Sequence, residues 1–382
     1  LPARSIQYLI PVVNMCCILA TTLLVVACGH RVSPQRRILA SATLLLAALA
    51  VVPATNVFLL RSETMAMNGT LAAPAATASS SASTVVFWLV LLSTLLCAVS
   101  SSVMQSSLFG MAASLSPDGS LTVWLTIGQG AAGVGVVALR FLTKALIGEA
   151  RAAVSTMVFF LMGFVWVLLA IFVFIAMLRQ QQRRASAETS AAAVNYMRME
   201  DAAEDGDTKS VSKLAVLKQL WPQAFSVCLV FTTCISCFPG LTASLQSTTF
   251  HLGDWFPLAL VATYNVGDLI GKTAPQYISF FSKGRRASVA LPLAAICHVC
   301  FVPAFVLRES YPSLGDWYAF SAVAMLGLTT GYIGCSSMML GPAQCANGAE
   351  REVAGTMDTL FLVGGLTLGS LVGMAISLVK QA

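Results

Sequence analysis

The chain has 382 residues, of which 57% are hydrophobic and only 10% are charged, and its mean hydropathy is +0.81. A soluble globular domain carries about a quarter charged residues, so this composition excludes a water-soluble fold. The formal net charge of +6 does not indicate a nucleic-acid-binding protein, because the basic residues are scattered at helix ends and in loops and form no basic stripe.

The apolar residues fall into ten long runs along the chain. Each run is long enough to cross the ~30 Å hydrocarbon layer as a helix that rises ~1.5 Å per residue. The sequence therefore predicts an all-α polytopic membrane protein with ten transmembrane helices. The predicted spans are 8–28, 38–60, 84–114, 121–139, 153–178, 222–244, 256–281, 288–307, 317–341 and 353–379.

One long polar stretch, residues 179–221, separates the first five spans from the last five. It holds seven Lys/Arg and six Asp/Glu, together with an Ala/Ser tract, a composition typical of a solvated linker. The sequence thus predicts an N-terminal helical bundle over 1–178, a cytoplasmic linker over 179–221 and a C-terminal helical bundle over 222–382.

The orientation follows from the basic residues, which concentrate in cytoplasmic loops. The seven Lys/Arg of the linker decide the count and place the linker in the cytoplasm. This orientation puts the loop 61–83 on the other side of the membrane. That loop contains Asn68-Gly69-Thr70, so Asn68 is a candidate N-glycosylation site.

Several motifs resemble ligand sites but are better explained by packing. Cys234-x-x-Cys237 lies at membrane depth without a second ligand pair nearby, so no metal site is predicted. The glycines of 128–133 spell a dinucleotide-binding pattern, but no strand precedes them, and glycines also let membrane helices approach closely. The same packing role is predicted for the glycine repeat of the last span, 365–373.

The strongest chemical signal is charge at membrane depth, which costs ~2.5–3.5 kcal/mol per ionised side chain even on lenient scales. Asp268 and Lys272 lie midway along the seventh span, four residues apart and therefore on one helical face. Asn265 precedes Asp268 by three residues on nearly the same face. A neutral packing pair is the structural alternative, but intramembrane ionisable groups normally face a cavity, and a functional site is favoured.

Three further polar residues lie inside predicted spans. Gln105 belongs to the serine-rich stretch 100–107, and binding a ligand or a neighbouring helix explains it equally well. Asp358 is predicted to be structural, because a carboxylate near a helix start is favoured by the helix dipole. His298 is predicted to be a hydrogen-bonded core residue rather than a proton carrier.

A set of motifs, in order along nearly the whole chain, resembles the equilibrative nucleoside transporter family. The resemblance implies a major-facilitator-like fold of two helical bundles around a central site. The family has eleven spans; the first span here matches the family's second, so the first helix, which normally lines the substrate site, is expected to be missing. The motifs are Arg37-Ile38-Leu39, Gln105-Ser106-Ser107-Leu108-Phe109-Gly110, Pro117, Gly128-Gln129-Gly130, Phe238-Pro239, Tyr264-Asn265-x-x-Asp268-x-x-Gly271-Lys272 and Gly331-Tyr332…Gly341-Pro342.

The resemblance also assigns site residues. It implies that Gln105 hydrogen-bonds the nucleobase and that Asp268 with Lys272 holds the ribose hydroxyls or a base edge. The family usually has Arg at the position of Lys272, so substrate range or proton linkage is expected to differ here. Other positions that match the lining of the substrate slot are Met15, Ser101, Phe238, Asn265 and Leu366.

The predicted function is transport of nucleosides, with free nucleobases as a further substrate class, across the plasma membrane by facilitative alternating access. No covalent step, cofactor or nucleic-acid partner is predicted; the expected partners are the substrate and the lipid bilayer. A proton-coupled symporter, in which Asp268 or Lys272 titrates, is the first alternative. A non-transporting receptor or scaffold is a weaker one, and a membrane-embedded enzyme is disfavoured because nucleophile, base and metal candidates do not cluster at one depth.

Overall fold

The computed structural model describes residues 3–67, 75–147, 152–196, 212–242, 245–278, 280–281 and 285–379. Within these ranges the regular structure is entirely helical, which confirms the predicted all-α class. The helices are α1 (Ala3–Cys28), α2 (Pro34–Met67), α3 (Ala75–Leu115), α4 (Ser120–Ile147), α5 (Ala152–Tyr196), α6 (Lys213–Ile235), α7 (Phe256–Thr273), α8 (Arg285–His298), α9 (Phe301–Ser310), α10 (Gly315–Leu340) and α11 (Gly348–Val379).

The helices coincide with the predicted spans, although their ends differ. In the described ranges eight segments are long and apolar enough to cross a membrane, and a shorter apolar helix covers Val12–Cys28. The eight do not include α7, because its 18 residues carry Asp268 and Lys272. The molecule is thus a polytopic membrane protein, and the count of ten spans stays a prediction.

Prolines explain two of the differences. The seventh span was predicted to reach residue 281, but α7 ends at Thr273 and a short 3₁₀ turn, Ala274–Gln276, follows. Pro275 cannot donate a backbone hydrogen bond and so cannot extend the helix. The eighth span is split into α8 and α9. Pro303 has no N–H to donate to the Val299 carbonyl, which instead accepts a hydrogen bond from the Val302 N–H at 3.0 Å.

Helix also occupies both ends of the predicted linker. Helix α5 continues to Tyr196, and α6 begins at Lys213, where the hydroxyl of Ser212 accepts a hydrogen bond from the Ala215 N–H. Residues 197–211 lie outside the described residues, and so does the glycosylation candidate Asn68. The domain boundaries stay predictions.

The helices pack in two groups that meet along two seams. In the first group α2 packs on α3 and α5, and α1 packs on α3; in the second, α6 packs on α8, α10 and α11, and α7 on α10. The first seam joins α1 and α3 to α11, and the second joins α4 to α7 and α10. We call the end of the molecule where α5 leads to α6 the linker end, and the other the opposite end.

A buried ion pair fixes the opposite end of the C-terminal helices. The Arg308 guanidinium lies 3.5 Å from the Asp316 carboxylate, and their side chains are 2% and 0% exposed. Asp316 also accepts hydrogen bonds from the backbone N–H groups of Thr248, Thr249 and Phe250. One carboxylate therefore holds the loop before α7 against the start of α10.

The linker end is closed by contacts between the two groups. Gly355 of α11 lies so close to α3 that a Cβ would come within 2.7 Å of the Phe109 carbonyl oxygen. Beside this contact the Arg37 guanidinium donates to the Glu352 carboxylate at 3.0 Å. Their side chains are 10% and 34% exposed. An apolar plug, built from Phe109, Val227, Met338, Leu362 and Val363, lies deeper in the molecule.

We predict that Glu352→Gln loosens this closure. The pair is partly exposed, so its loss is expected to cost about 1 kcal/mol, or roughly a fivefold shift toward the open linker end. Amide hydrogen exchange of residues 109–113 and 352–356 should accelerate accordingly. The reversed pair Arg37→Glu with Glu352→Arg should restore slow exchange; equally fast exchange in the reversed pair would contradict this role.

Candidate functional site

The candidate site is built on the polar face of α7. Lys272 Nζ donates to Asp268 Oδ2 at 2.6 Å, and the two side chains are 12% and 8% exposed. Asn265, one turn earlier, donates its amide to the Val261 carbonyl at 2.8 Å, which leaves its side-chain oxygen available. The predicted pairing of Asp268 with Lys272 is therefore present in the structure.

Glycines lock α7 against α10 behind this face. A Cβ on Gly331 would overlap the Asp268 carbonyl oxygen, and one on Gly271 would overlap the Leu328 carbonyl oxygen. Gly267 and Gly327 make equivalent contacts with backbone atoms of the other helix. Because backbone touches backbone at four positions, the depth and rotation of Asp268 are set by α10.

Helix α4 faces the site with glycines as well, and it contacts α7 side chains and, at Gly130, the α7 backbone, where an added Cβ would lie 3.2 Å from Leu269 Cα. A Cβ on Gly130 would lie 3.3 Å from Lys272 Cδ, and one on Gly133 would overlap the Asn265 amide oxygen. Gly128 has nothing within 4 Å. The predicted packing role is confirmed for Gly130 and Gly133, and in α11 for Gly365 and Gly369, which meet the carbonyls of Cys228 and Thr232.

An aromatic pair lies where α6 breaks. The backbone of Phe238 is extended (φ −133°, ψ 120°) and interrupts the π-helical turn that follows α6. A residue that precedes a proline is disfavoured in the helical conformation, and Phe238 directly precedes Pro239. The Phe238 ring stacks on Tyr264 with centroids 4.6 Å apart, and the Tyr264 hydroxyl lies 2.9 Å from Cys234 Sγ. Tyr264 precedes Asp268 by one turn.

The remaining predicted site residues lie on α1, α3 and α11. Gln105 is partly exposed, and among the described residues none hydrogen-bonds to its amide. Ser101, one turn earlier, donates to the Ala98 carbonyl at 3.1 Å. The Met15 carbonyl accepts a hydrogen bond from Thr367 at 3.3 Å. Leu366, next to Thr367, packs against the apolar plug.

The structure brings the predicted residues together in two sets. Asn265, Asp268 and Lys272 share one face of α7, with Phe238 stacked on Tyr264 at the same helix. Gln105 and Leu366 each lie one turn beyond the plug residues Phe109 and Leu362, toward the opposite end. Across the described residues, no hydrogen bond joins Gln105 to the α7 pair.

Sequence reasoning missed some contacts and misplaced others. Tyr264 belongs to one of the family-like motifs but is not among the predicted site residues, although it lies four residues before Asp268 and therefore on the same helical face. His298 is a hydrogen-bonded core residue as predicted, held by Thr329 and Thr330. The dipole role of Asp358 is wrong, because α11 begins at Gly348 and places Asp358 in its third turn.

Comparison with known proteins identifies the class and then the family. A bacterial homologue of the iron transporter ferroportin in an outward-facing state has the same fold, with a TM-score of 0.51 and 16% identity over 98% of this chain and 83% of that one. This likeness concerns the fold alone, and it agrees with the predicted fold of two helical bundles. The "Nucleoside transporter" family model matches residues 91–378. This chain belongs to the equilibrative nucleoside transporter family.

Individual relatives agree with this assignment. Equilibrative nucleotide transporter 4 of Arabidopsis thaliana is 30% identical over 64% of this chain and 61% of its own length. Equilibrative nucleoside transporter 1 of Rattus norvegicus is 31% identical over 41% of this chain and 36% of its own. Equilibrative nucleoside transporter 2 of Homo sapiens is 27% identical over 71% of this chain and 67% of its own. The matched part of this chain thus spans less than two thirds of the length of the first two of these relatives.

Proposed function

We propose that this chain carries nucleosides across the membrane by facilitative alternating access, with nucleobases as a further substrate class and the plasma membrane as its location. The observation that carries the proposal is the Asp268–Lys272 pair, almost buried in a membrane helix and bordered by Gly130 and Gly133 of α4. A nucleoside offers a flat π-face with several donors and acceptors, and it suits an apolar slot with a few fixed polar groups.

In this proposal each predicted site residue has a role set by its chemistry. Gln105 hydrogen-bonds the base, because its amide carries both donors and acceptors and has no protein partner in the described part of the chain. Asp268 accepts from ribose hydroxyls while Lys272 balances its charge. Phe238 offers an aromatic face toward the base. Other lining positions are Asn265, Met15, Ser101 and Leu366.

The alternating movement is proposed to use the two seams. The linker end is closed by Arg37–Glu352 and the plug, so the described conformation corresponds to the state that is shut on the linker side. Opening would separate α3 from α11 and break the Arg37–Glu352 pair. Facilitative carriage needs no titration of Asp268 or Lys272, whereas a symporter would require it.

Uptake of radiolabelled adenosine, inosine and hypoxanthine in transporter-deficient cells tests the proposal. We expect saturable uptake of at least one nucleoside that is cross-inhibited by the others. Measuring initial rates at two external pH values, with and without a proton ionophore, separates facilitative carriage from proton symport. If none of the three enters despite surface expression, the proposal fails and a receptor or scaffold role becomes the better explanation.

A further inference from the structure

An acidic side chain outside the candidate site is buried without a partner. Asp358 of α11 is 1% exposed, and neither of its carboxylate oxygens has a hydrogen-bond partner among the described residues. It lies against the end of α10, where a Cβ on Gly341 would overlap the carboxylate. The glycine therefore provides the space that the carboxyl group fills.

The surroundings of Asp358 are largely apolar. We call residues 340–345 the α10 corner. Leu220 of α6 and Ala354 of α11 belong to the same buried cluster as Cys345 of this corner. Gln223, one residue before Ala224 of that cluster, is fully buried, and its amide oxygen and nitrogen are both without partners in the described part of the chain. Two unpartnered polar side chains thus lie on α6 and α11, the helices that flank the corner.

Among the described residues, no cation is paired with Asp358. Helix α6 carries Lys213, which donates to the Ala27 carbonyl at 2.9 Å, and the exposed Lys218. The other charged or titratable groups around Asp358 are Cys345, Glu350, Arg351, Glu352, Arg37 and Asp118. The Arg351 guanidinium donates to the carbonyls of Cys345 and Ala346, and Arg37 is paired with Glu352. The described residues contain no ion pair to Asp358. An ionised carboxylate here would be buried without compensation, which is strongly unfavourable.

We propose that Asp358 is a proton-binding site that exchanges with the solution on the linker side and is occupied when the linker end is closed. The N-terminal group lies beside the α10 corner. A Cβ on Gly119, in the loop between α3 and α4, would lie 2.6 Å from Cγ of Met339, the residue before the corner, and Gly355 of α11 packs on Phe109 of α3. Separation of these contacts hydrates the carboxyl group, which then releases its proton as an ordinary solvated aspartate does.

This inference rests on the alternating access proposed above, and it predicts a kind of proton dependence that differs from symport. The carboxyl group loses a proton to the linker side on opening and regains one from the same side on closing, so no net proton crosses the membrane. Opening releases one proton, and its equilibrium constant therefore rises by up to about tenfold for each unit of linker-side pH. Acidification on that side holds the linker end shut.

Amide hydrogen exchange of the purified full chain tests the site without a transport assay. Wild type and Asp358→Asn are compared at the same pH, about 5.5 in one series and about 7.5 in the other, over residues 109–121 and 350–358. We expect faster exchange in the wild type than in Asp358→Asn at both pH values, because asparagine cannot ionise, and the ratio of the two rates should be up to about a hundredfold larger at the higher pH. Asp254→Asn, an exposed acid at the opposite end, should behave as wild type.

Further arms keep the result decisive. Asp358→Leu also lacks a titrating group and should match Asp358→Asn, which covers the case in which the asparagine variant misfolds. Equal exchange of wild type and both variants at the higher pH would overturn the inference. The inference would also be overturned if, at constant pH, the difference in exchange between wild type and variants disappeared when choline replaced sodium. The occupant would then be a metal cation.

Transport measurements separate the two proposals. If wild type carries nucleosides and Asp358→Asn keeps the same response to linker-side pH, the proton site fails while the proposed function stands. If wild type carries none of the nucleosides but hydrogen exchange shows the expected pH dependence, the proposed function fails while the proton site stands.

Discussion

Asp268→Asn is expected to reduce nucleoside uptake by about a hundredfold at unchanged surface expression. The substitution removes an acceptor for the substrate and leaves the buried Lys272 ammonium without its partner, a loss on the order of 3 kcal/mol. Lys272→Arg should retain uptake, because a guanidinium can keep the contact with Asp268. Initial rates of labelled adenosine uptake, normalised to surface protein, measure both variants.

The exchanged pair Asp268→Lys with Lys272→Asp separates a binding role from a packing role. Both charges remain on one helical face four residues apart, so the protein should keep its thermal stability. The substrate would meet an ammonium where it needs a carboxylate, so uptake should stay lost. Recovery of uptake in the exchanged pair would show that Asp268 only neutralises Lys272, and the site assignment would have to be abandoned.

Asp316→Ala is expected to destabilise the folded protein by about 3–5 kcal/mol, the largest stability effect that we predict. It leaves the buried Arg308 unpaired and removes the acceptor of three backbone N–H groups. The measurement is the midpoint of thermal aggregation of the detergent-solubilised protein. Asp254→Ala, at the exposed start of the turn before α7, is the matched control and should leave the midpoint unchanged.

A double substitution divides this effect into its parts. Arg308→Met with Asp316→Asn removes both charges and keeps a side-chain acceptor for the loop. It should therefore recover most of the stability lost in Asp316→Ala. If the double variant is as unstable as Asp316→Ala, the unpaired charge of Arg308 is not the source of the effect.

The sequence predicted the helical fold well because a bilayer imposes one requirement along the whole chain, namely long apolar runs. The depth of Asp268 and Lys272 and their spacing of four were enough to predict their contact. Packing glycines were also predictable, since a glycine in a membrane helix has few other uses. These features depend on local sequence and on the solvent alone.

Other features depend on which helices meet, and the sequence does not encode that locally. Glu352 had no feature to distinguish it from other acids near helix ends until α11 was placed beside Arg37. Asp358 was assigned to a helix start because the apolar run begins at residue 353, whereas the helix itself begins five residues earlier. The stacking of Phe238 on Tyr264 depends on the break in α6, which only the pair Phe238-Pro239 indicated.

The contrast between the two neighbours of α7 has a mechanical consequence. Against α10 the backbones meet directly at four glycines, so these two helices move as one stiff body, and a displacement of Asp268 is passed on to α10. Against α4 the backbones approach at one position, Gly130 beside Leu269, and the other close contacts are made by the flexible Lys272 stem and the Asn265 amide, which can move aside. When a solute binds at the α7 face, we therefore expect α7 and α10 to move together and the contact with α4 to adjust.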